Sequence, residues 1–468
     1  MGEGLTLNLE KEVERQTDAL IKATQEIITL RSVESDAVDG CPFGAEVGRA
    51  LECALQIARG MGFHTVNLDG YVGYAEYGSG EDYVAVLGHL DVVPEGGNWT
   101  YPPYGGEIHE GRLYGRGASD DKGPIMAALF GLAAVKNLNL PLTKRVRIIF
   151  GTSEETGSKD MDYYAGREKP PVAGFTPDAS FPTIYAEKGG CKFTLAKKLT
   201  AAGDSVRLRS LHAGERVNIV PDRAEAVLSA REPQALINAC AAFANCHKVE
   251  LGASLAADGT VQIVSRGKAA HGSLPHQGIN AAMQLLAFLA ECQLPADLVS
   301  YLKAVTDAIG RETDGRSLGI AYRDEASGSL TLNAGLLRFT GDTVALTCDV
   351  RFPVTWTGEQ LIEKLQSAAN NLGIDLASFT FGKPLFFPKD HSLITTLQKV
   401  FTTVTGTTVD PIAIGGGTYA KHLPNTVAFG PQFPGQPDLC HQPDEYITLD
   451  DLVLCAKIYA RAIYELAR

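Results

Sequence analysis

The chain has no stretch of about eighteen consecutive uncharged apolar residues, the length a helix needs to cross a bilayer, which excludes a membrane-spanning helix. It has no CxxC pair, and its nine cysteines are scattered singly in an odd total, which excludes a disulfide framework and suits the reduced thiols of a cytosolic enzyme. Positive charge is in the minority. Lys plus Arg number 42 against 55 for Asp plus Glu, and the balance of −13 opposes phosphate backbones and anionic lipid, so neither nucleic acid nor a membrane is expected as a partner. The opening MGEGLTLNLEKEVERQ lacks a basic segment followed by an apolar run, so no secretion signal is read there and the cytoplasm is the expected location. Tandem repeats, low-complexity linkers and heptad runs are also missing. Gly2 with Thr6 fits an acylation pattern and Asn98-Trp99-Thr100 a glycosylation sequon. The first lacks the polybasic second signal that stable anchoring needs, and the second matters only in a secreted chain.

What is present is 468 residues, 45% apolar and 21% charged, an ordinary globular composition too long for one hydrophobic core. Two or three domains are expected. Amphipathic helices come first, through Leu20, Ile27 and Ile28, then through Val47, Leu51, Leu55 and Ala58. Residues 64–68 and 71–77 flank Asp69-Gly70, a hairpin signal. The run YVAVLG leads into His89, and VRIIFG leads into Glu154 and Glu155; both read as strands buried on two faces. Between them residues 120–138 read as a helix, with Pro124 near its first turn. Strand, helix, strand puts both polar clusters just past the carboxyl ends of neighbouring strands, where open α/β sheets bind ligands.

From about residue 191 to about residue 381 the texture changes to shorter alternating strands, at 191–199, 223–228 and 343–352, with helices at 279–290 and 359–372. That is the pattern of a separate α+β domain. The α/β texture then returns through DPIAIGGG, NTVAFG and a final helix through Leu452, Cys455, Ile458 and Ala462, capped by Thr448. The expected organisation is a first domain of residues 1–190 plus 382–468, interrupted by a second of residues 191–381.

Five pieces carry residues suited to chemistry. GHLDVVP places His89 and Asp91 two apart at a strand end, so both side chains point the same way. An imidazole that ligates a metal usually gives its other N–H to a carboxylate, a part open to Asp91; a surface ion pair is the competing reading. In LYGRGASDDKGP, Asp120 and Asp121 either cap a helix and complement its dipole, or supply a carboxylate whose two oxygens serve two cations. In GTSEETGS, adjacent glutamates raise one another's pKa unless a cation takes one. Glu155 would then ligate and Glu154 act as general base, against the alternative of a solvated loop. Asp178 in GFTPDASFP and His441 in LCHQPDEY carry no reading singly. Cys440 is a rival thiolate beside His441, disfavoured by the nitrogen and oxygen donors elsewhere. IGGGTYAK lacks a P-loop ending, Gly115-Arg116-Gly117 lacks the third glycine of a dinucleotide fingerprint, and Ser153 and Ser158 have no paired histidine in sequence.

Taken in order, GHLDVVP, YGRGASDDKGP, TSEETGS, PDASFP, AAHGSLPHQGINAA and CHQPDEY resemble the M20 metallopeptidase family, which contains aminoacylases, carboxypeptidase G and the carnosinase-like dipeptidases. FGAEVGRALECAL, PDASFP and the long intervening domain look most like a monomeric bacterial dipeptidase type whose second domain is a lid. The resemblance implies an α/β fold, a zinc-exopeptidase-like mixed sheet sandwiched by helices, with an inserted α+β lid domain. By matching positions it implies one metal on His89, Asp120 and Asp178, and another on Glu155, His441 and the bridging Asp120. Asp120 is preferred to Asp121 by comparison with members that have only the first acid. Glu154 is the implied general base, Asp91 the orienter of His89, and His271 the stabiliser of the oxyanion. Asn218 and Arg351 are the implied holders of the substrate carboxylate, with the backbone of Gly415, Gly416 and Gly417 as helper. An Asp rather than a Glu at 178 favours the dipeptidase and carnosinase side of the family.

The implied reaction is hydrolysis of an unblocked dipeptide with a free C-terminal carboxylate, by attack of a water bridging two divalent cations. Zn2+ is the family default, and Mn2+ or Co2+ fits the same donors. Glu154 takes the water proton and passes it to the leaving amine, His271 steadies the tetrahedral oxyanion, and Arg351 offers a planar fork to the carboxylate. Because His271 lies in the second domain and the ligands in the first, turnover is expected to need a closed arrangement. Two other readings stand beside this one: an N-acyl-amino-acid amidohydrolase or deacylase, and a non-catalytic metal- or peptide-binding protein, which a general base beside the ligands disfavours.

Overall fold

The strand Tyr83–His89 carries no polar side chain between Tyr83 and His89, and all of its positions are buried. In the computed structural model, which describes residues 3–200 and 205–468, it lies inside a mixed sheet. Gly2 of the acylation pattern lies outside the described residues. The sheet runs in the order His64–Leu68, Val72–Tyr77, Arg145–Gly151, Tyr83–His89, Ala173–Thr176, Thr426–Ala428. Arg145–Gly151 and Ala173–Thr176 flank the buried strand in parallel, and Thr426–Ala428 adds in parallel to Ala173–Thr176. The two strands at the other edge are an antiparallel hairpin whose turn residues, Asp69 and Gly70, have φ of 52° and 74°, the left-handed pair such a turn requires.

The helix predicted over residues 120–138 spans Lys122–Asn137. It starts two residues late because the amides of Gly117, Ser119 and Asp120 are turned toward the Glu445 carboxylate instead of into a helical ladder. It is buried on nearly all sides, packed between the sheet and the final helix Leu449–Ala467. Thr448 caps that last helix, its hydroxyl accepting from the Asp451 amide at 3.0 Å.

The chain divides into two compact units: Met1–Tyr185 with Phe387–Ile412 and Thr418–Arg468, and Ala186–Phe386 with Ala413–Gly417. It leaves the first unit within the strand Ile184–Glu187. The second unit is built on an antiparallel sheet in the order Glu250–Leu255, Val261–Arg266, Arg223–Ala230, Val206–Ala213, Thr331–Phe339, Thr343–Phe352, Gly189–Lys198, Asp375–Gly382. Burial along Thr343–Phe352 alternates for most of its length, as a strand with one covered face requires. Phe193, Ile263, Leu286 and Val350 belong to one apolar core there, with the helices Ala281–Leu289 and Ala296–Ala308 contributing. The predicted helix at 279–290 is trimmed at its start, because the Asn280 side chain accepts from the Met283 amide and caps it. Gly358–Leu372 opens on a reciprocal capping box between Thr357 and Gln360. Among the described residues no helix is long and apolar enough to cross a membrane.

At Gly131 the helices Lys122–Asn137 and Leu449–Ala467 approach so closely that a β-carbon would lie 2.8 Å from the Ala460 amide nitrogen. Gly131→Val should therefore cost about 1–3 kcal/mol through overpacking. The check is a lower urea midpoint at unchanged slope; an unaltered midpoint would show that the helices separate freely.

Candidate metal centre

Two parallel strand ends and the entry to a helix deliver the acids to one place. His89 ends its strand opposite Gly151, so Glu154 and Glu155, a few residues further on, come up beside it. Asp178 follows the neighbouring strand Ala173–Thr176 by two residues, and Asp120 lies two residues ahead of the helix Lys122–Asn137. His441 arrives from the far end of the sequence, on a loop where it holds φ of 65°, the left-handed region.

The structure brings these side chains together. His89 Nε2 lies 3.0 Å from Asp120 Oδ1 and 3.8 Å from Asp178 Oδ1. His441 Nε2 lies 2.9 Å from Glu155 Oε1 and 3.3 Å from Asp120 Oδ2. Asp120 thus turns one oxygen to each imidazole. Ligand atoms of His89, Glu154 and Asp178 fall within 4.8 Å of one another, and so do those of His89, Asp120 and Glu155. Distance alone therefore leaves both glutamates within reach of a cation.

Asp121, the neighbouring acid, has a different place. It is buried, its Oδ2 accepts from the His89 amide at 3.2 Å, and burial pushes its carboxyl well above the usual range. Gly88 makes room for it, since a β-carbon there would lie 2.2 Å from Oδ2. The Asp120–Asp121 peptide is cis.

Asp91 also does something the sequence does not announce. His89 Nδ1 lies 2.9 Å from the Asp91 main-chain oxygen and 3.6 Å from its carboxylate. The carboxylate instead accepts from the Glu154 and Glu155 amides, one to each oxygen, both at 3.1 Å. Asp160 does the same one step earlier, accepting from the Thr152 amide at 2.7 Å and the Ser153 amide at 3.3 Å, with the Tyr419 hydroxyl donating to it as well. Sequence reasoning passed over Asp160 and Tyr419. No spacing marks them, because their roles exist only once distant segments meet.

Charge in this cluster is unbalanced. The side chains of Glu155 and Asp178 are only 10% and 15% exposed. Burial, joined by the negative charge of Asp178, pushes Glu154 well up; burial likewise raises Glu155 and Asp178, with Asp120 adding to both. Burial opposes ionisation of Asp120 too, yet hydrogen bonds from His441 and His89 hold it well below the usual range. Hydrogen bonds to Asp120 and Glu155 push His441 up to about 10. His89 is raised as well: burial works against it and loses to Asp120 and Asp178. Carboxylates that repel one another around two imidazoles, with nitrogen and oxygen donors and no thiolate among them, are a donor set that fits divalent cations.

In the second unit the other predicted residues form a group of their own. The Asn218 carbonyl accepts from the Gly272 amide at 2.7 Å, and Ile219 bridges to His271 as strand neighbours do. His271 Nδ1 lies 2.7 Å from the Ser273 hydroxyl, and Ser273 packs against Gly415. Arg351 donates from Nε to Asp349 at 3.1 Å and from Nη1 to the Gly415 carbonyl at 3.5 Å. Gly416 and Gly417 follow in the same segment, Ala413–Gly417.

The family model for peptidase family M20/M25/M40 matches residues 85–465. A Bacillus subtilis (strain 168) protein named "Putative dipeptidase YtjP" is 41% identical over 469 residues, covering 99% of this chain and 100% of that one. A Staphylococcus haemolyticus protein, "Putative dipeptidase SH1171", is 31% identical, covering 97% and 98%. Among solved structures, human carnosine dipeptidase 1 is similar with a TM-score of 0.56 at 17% identity, covering 100% and 99%. The dipeptidase Dug1p of Saccharomyces cerevisiae is similar with a TM-score of 0.58 at 14% identity, covering 98% of each chain.

Raised carboxyls and raised imidazoles mean that the metal-free cluster retains protons at neutral pH which a cation must displace. Zn2+ added to metal-free protein at pH 7 should release protons, seen as a binding heat that changes with the ionisation enthalpy of the buffer. A heat independent of buffer would show that the cluster holds no such protons.

Proposed function

The chain belongs to peptidase family M20/M25/M40, and from that premise we propose a metal-dependent dipeptidase that cleaves unblocked dipeptides carrying a free C-terminal carboxylate. The observation that carries the reading is the single carboxylate of Asp120 shared between His89 and His441, with Glu154 and Glu155 beside it. His89, Asp120 and Asp178 are assigned to one cation, and Glu155, His441 and Asp120 to the other. Zn2+ is the cation we assign, and the donors equally suit Mn2+ or Co2+. Bound there, the pair of cations polarises the scissile carbonyl and brings the pKa of water toward about 7, so that attack proceeds at neutral pH.

The remaining work falls to the chain. Glu154 accepts the proton of the attacking water and delivers it to the leaving amine; its amide is fixed on Asp91, which holds the carboxylate in place for both transfers. From the second unit, which we assign the role of lid, His271 donates to the oxyanion as the carbonyl becomes tetrahedral. Arg351, with its guanidinium already oriented by Asp349 and the Gly415 carbonyl, takes the terminal carboxylate together with Asn218 and the backbone of Gly415, Gly416 and Gly417. Nine free cysteines support a reducing compartment, and we assign the protein to the cytoplasm as a monomer.

Glu154→Gln keeps the shape and removes the base, so kcat should fall by at least about 10²–10⁴-fold while metal content is unchanged. Loss of metal in that variant would make Glu154 a ligand instead. Arg351→Lys should raise KM for dipeptides and narrow the preference for free over amidated C-termini, because an ammonium cannot form the paired bonds of a guanidinium. A panel of dipeptides and N-acyl amino acids, assayed before and after chelation and metal restoration, tests the substrate class. Cleavage of the acylated compounds alone would replace this reading with an amidohydrolase.

A further inference from the structure

Four residues beyond His441, Glu445 is fully buried and its carboxylate is ringed by donors. Arg116 Nη1 donates to Oε2 at 2.7 Å, and the Gly117 amide reaches both oxygens at 3.1 Å. The Ser119 amide, the Ser119 hydroxyl and the Asp120 amide donate to Oε1 at 2.9, 3.1 and 3.1 Å. Main-chain N–H groups turned to one point make an anion-binding concavity. Here the anion comes from the chain itself.

The clamp has two jaws. The Glu445 carbonyl accepts from the Gly115 amide at 2.9 Å, and Arg116 Nη1 also donates to the Gln442 carbonyl at 3.2 Å. Residues 115–120, which end in Asp120, are thereby tied to residues 441–445, which begin with His441. These are the two residues 3.3 Å apart that the assignment places on a shared cation. Without the clamp, Asp120 would sit at the end of a glycine-containing loop among carboxylates that repel it.

We propose that Glu445 is a positioning residue for the cation pair: it sets Asp120 and His441 in register before metal binds, so the site is preformed. The inference rests on the metal-site reading of Asp120 and His441. A purely structural role, the pairing of Arg116 in the interior, is the competing account, and it predicts a stability loss with no specific effect on metal. Removal of groups that orient ligands typically costs about 10–100-fold in metal affinity. An ordered loop also avoids the entropy of gathering its ligands at each binding event.

The test uses the full chain and Zn2+ alone. Zn2+ affinity is read by competition with a chromophoric chelator, with the thermal midpoint and circular dichroism of the metal-free protein recorded in parallel. Glu445→Gln is expected to fold and to bind Zn2+ about 10–100-fold more weakly. In Glu445→Ala the concavity is vacant, and added formate is expected to restore part of the lost affinity. Unaltered affinity in folded Glu445→Gln overturns the proposal. If the variants do not fold, amide exchange across residues 115–121 of the unaltered metal-free chain decides. Slow exchange that Zn2+ leaves unchanged supports a preformed loop, and fast exchange that slows only on adding Zn2+ overturns it. An unaltered chain that binds no Zn2+ removes the metal-site reading itself, and this inference with it.

Discussion

Negative charge held in a poorly solvated pocket, with too little positive charge beside it, is the constraint on which this architecture turns. A carboxylate removed from water costs several kcal/mol unless something compensates it. Asp91, Asp120 and Asp121 are buried, and Glu154, Glu155 and Asp178 are partly so. Two imidazoles meet part of the demand. Main-chain amides meet another part: Asp91 takes those of Glu154 and Glu155, Asp160 those of Thr152 and Ser153, Glu445 those of Gly117, Ser119 and Asp120. The deficit left on Glu154, Glu155 and Asp178 is the one that divalent cations fill.

The supporting acids share a logic. None of Asp91, Asp121, Asp160 and Glu445 is assigned to a metal, yet each accepts main-chain amides from a segment that carries or adjoins a ligand or the base. Bonds to an ionised acceptor are short and stronger than neutral ones. Apolar packing fixes the strands; these bonds fix the loops that leave them. The division explains how side chains from residues 89 to 441 converge although the loops themselves have few apolar residues to pack.

Much of this was legible in the sequence where local chemistry decides. YVAVLG and VRIIFG are unbroken apolar runs and could only be covered strands, which is why the α/β class and the placement of His89, Glu154 and Glu155 at strand ends followed from letters alone. The hairpin at Asp69-Gly70 and the Thr448 cap are equally local. The start of the helix at Lys122 was not legible, because its delay is caused by an acid more than three hundred residues away. For the same reason Asp91 reads as a partner for His89, two residues off, while its carboxylate lies on amides sixty-three and sixty-four residues on. Asp121 and Asp120 look alike in sequence. Their surroundings tell them apart: one props the strand end from beneath, the other faces the imidazoles.

The order of the strands has a bearing on how the protein is made. Ala173–Thr176 waits for its parallel neighbour Thr426–Ala428, which emerges some 250 residues later, at roughly 5–20 residues per second an interval of about 12–50 s. Through that interval the nascent first unit exposes an unpaired edge and the face of Lys122–Asn137 that the last helix will cover, while the second unit, continuous in sequence, is free to complete itself. Ribosomal synthesis thus reverses the apparent hierarchy: the inserted unit matures first, and the unit that surrounds it is sealed only when the tail of the chain returns.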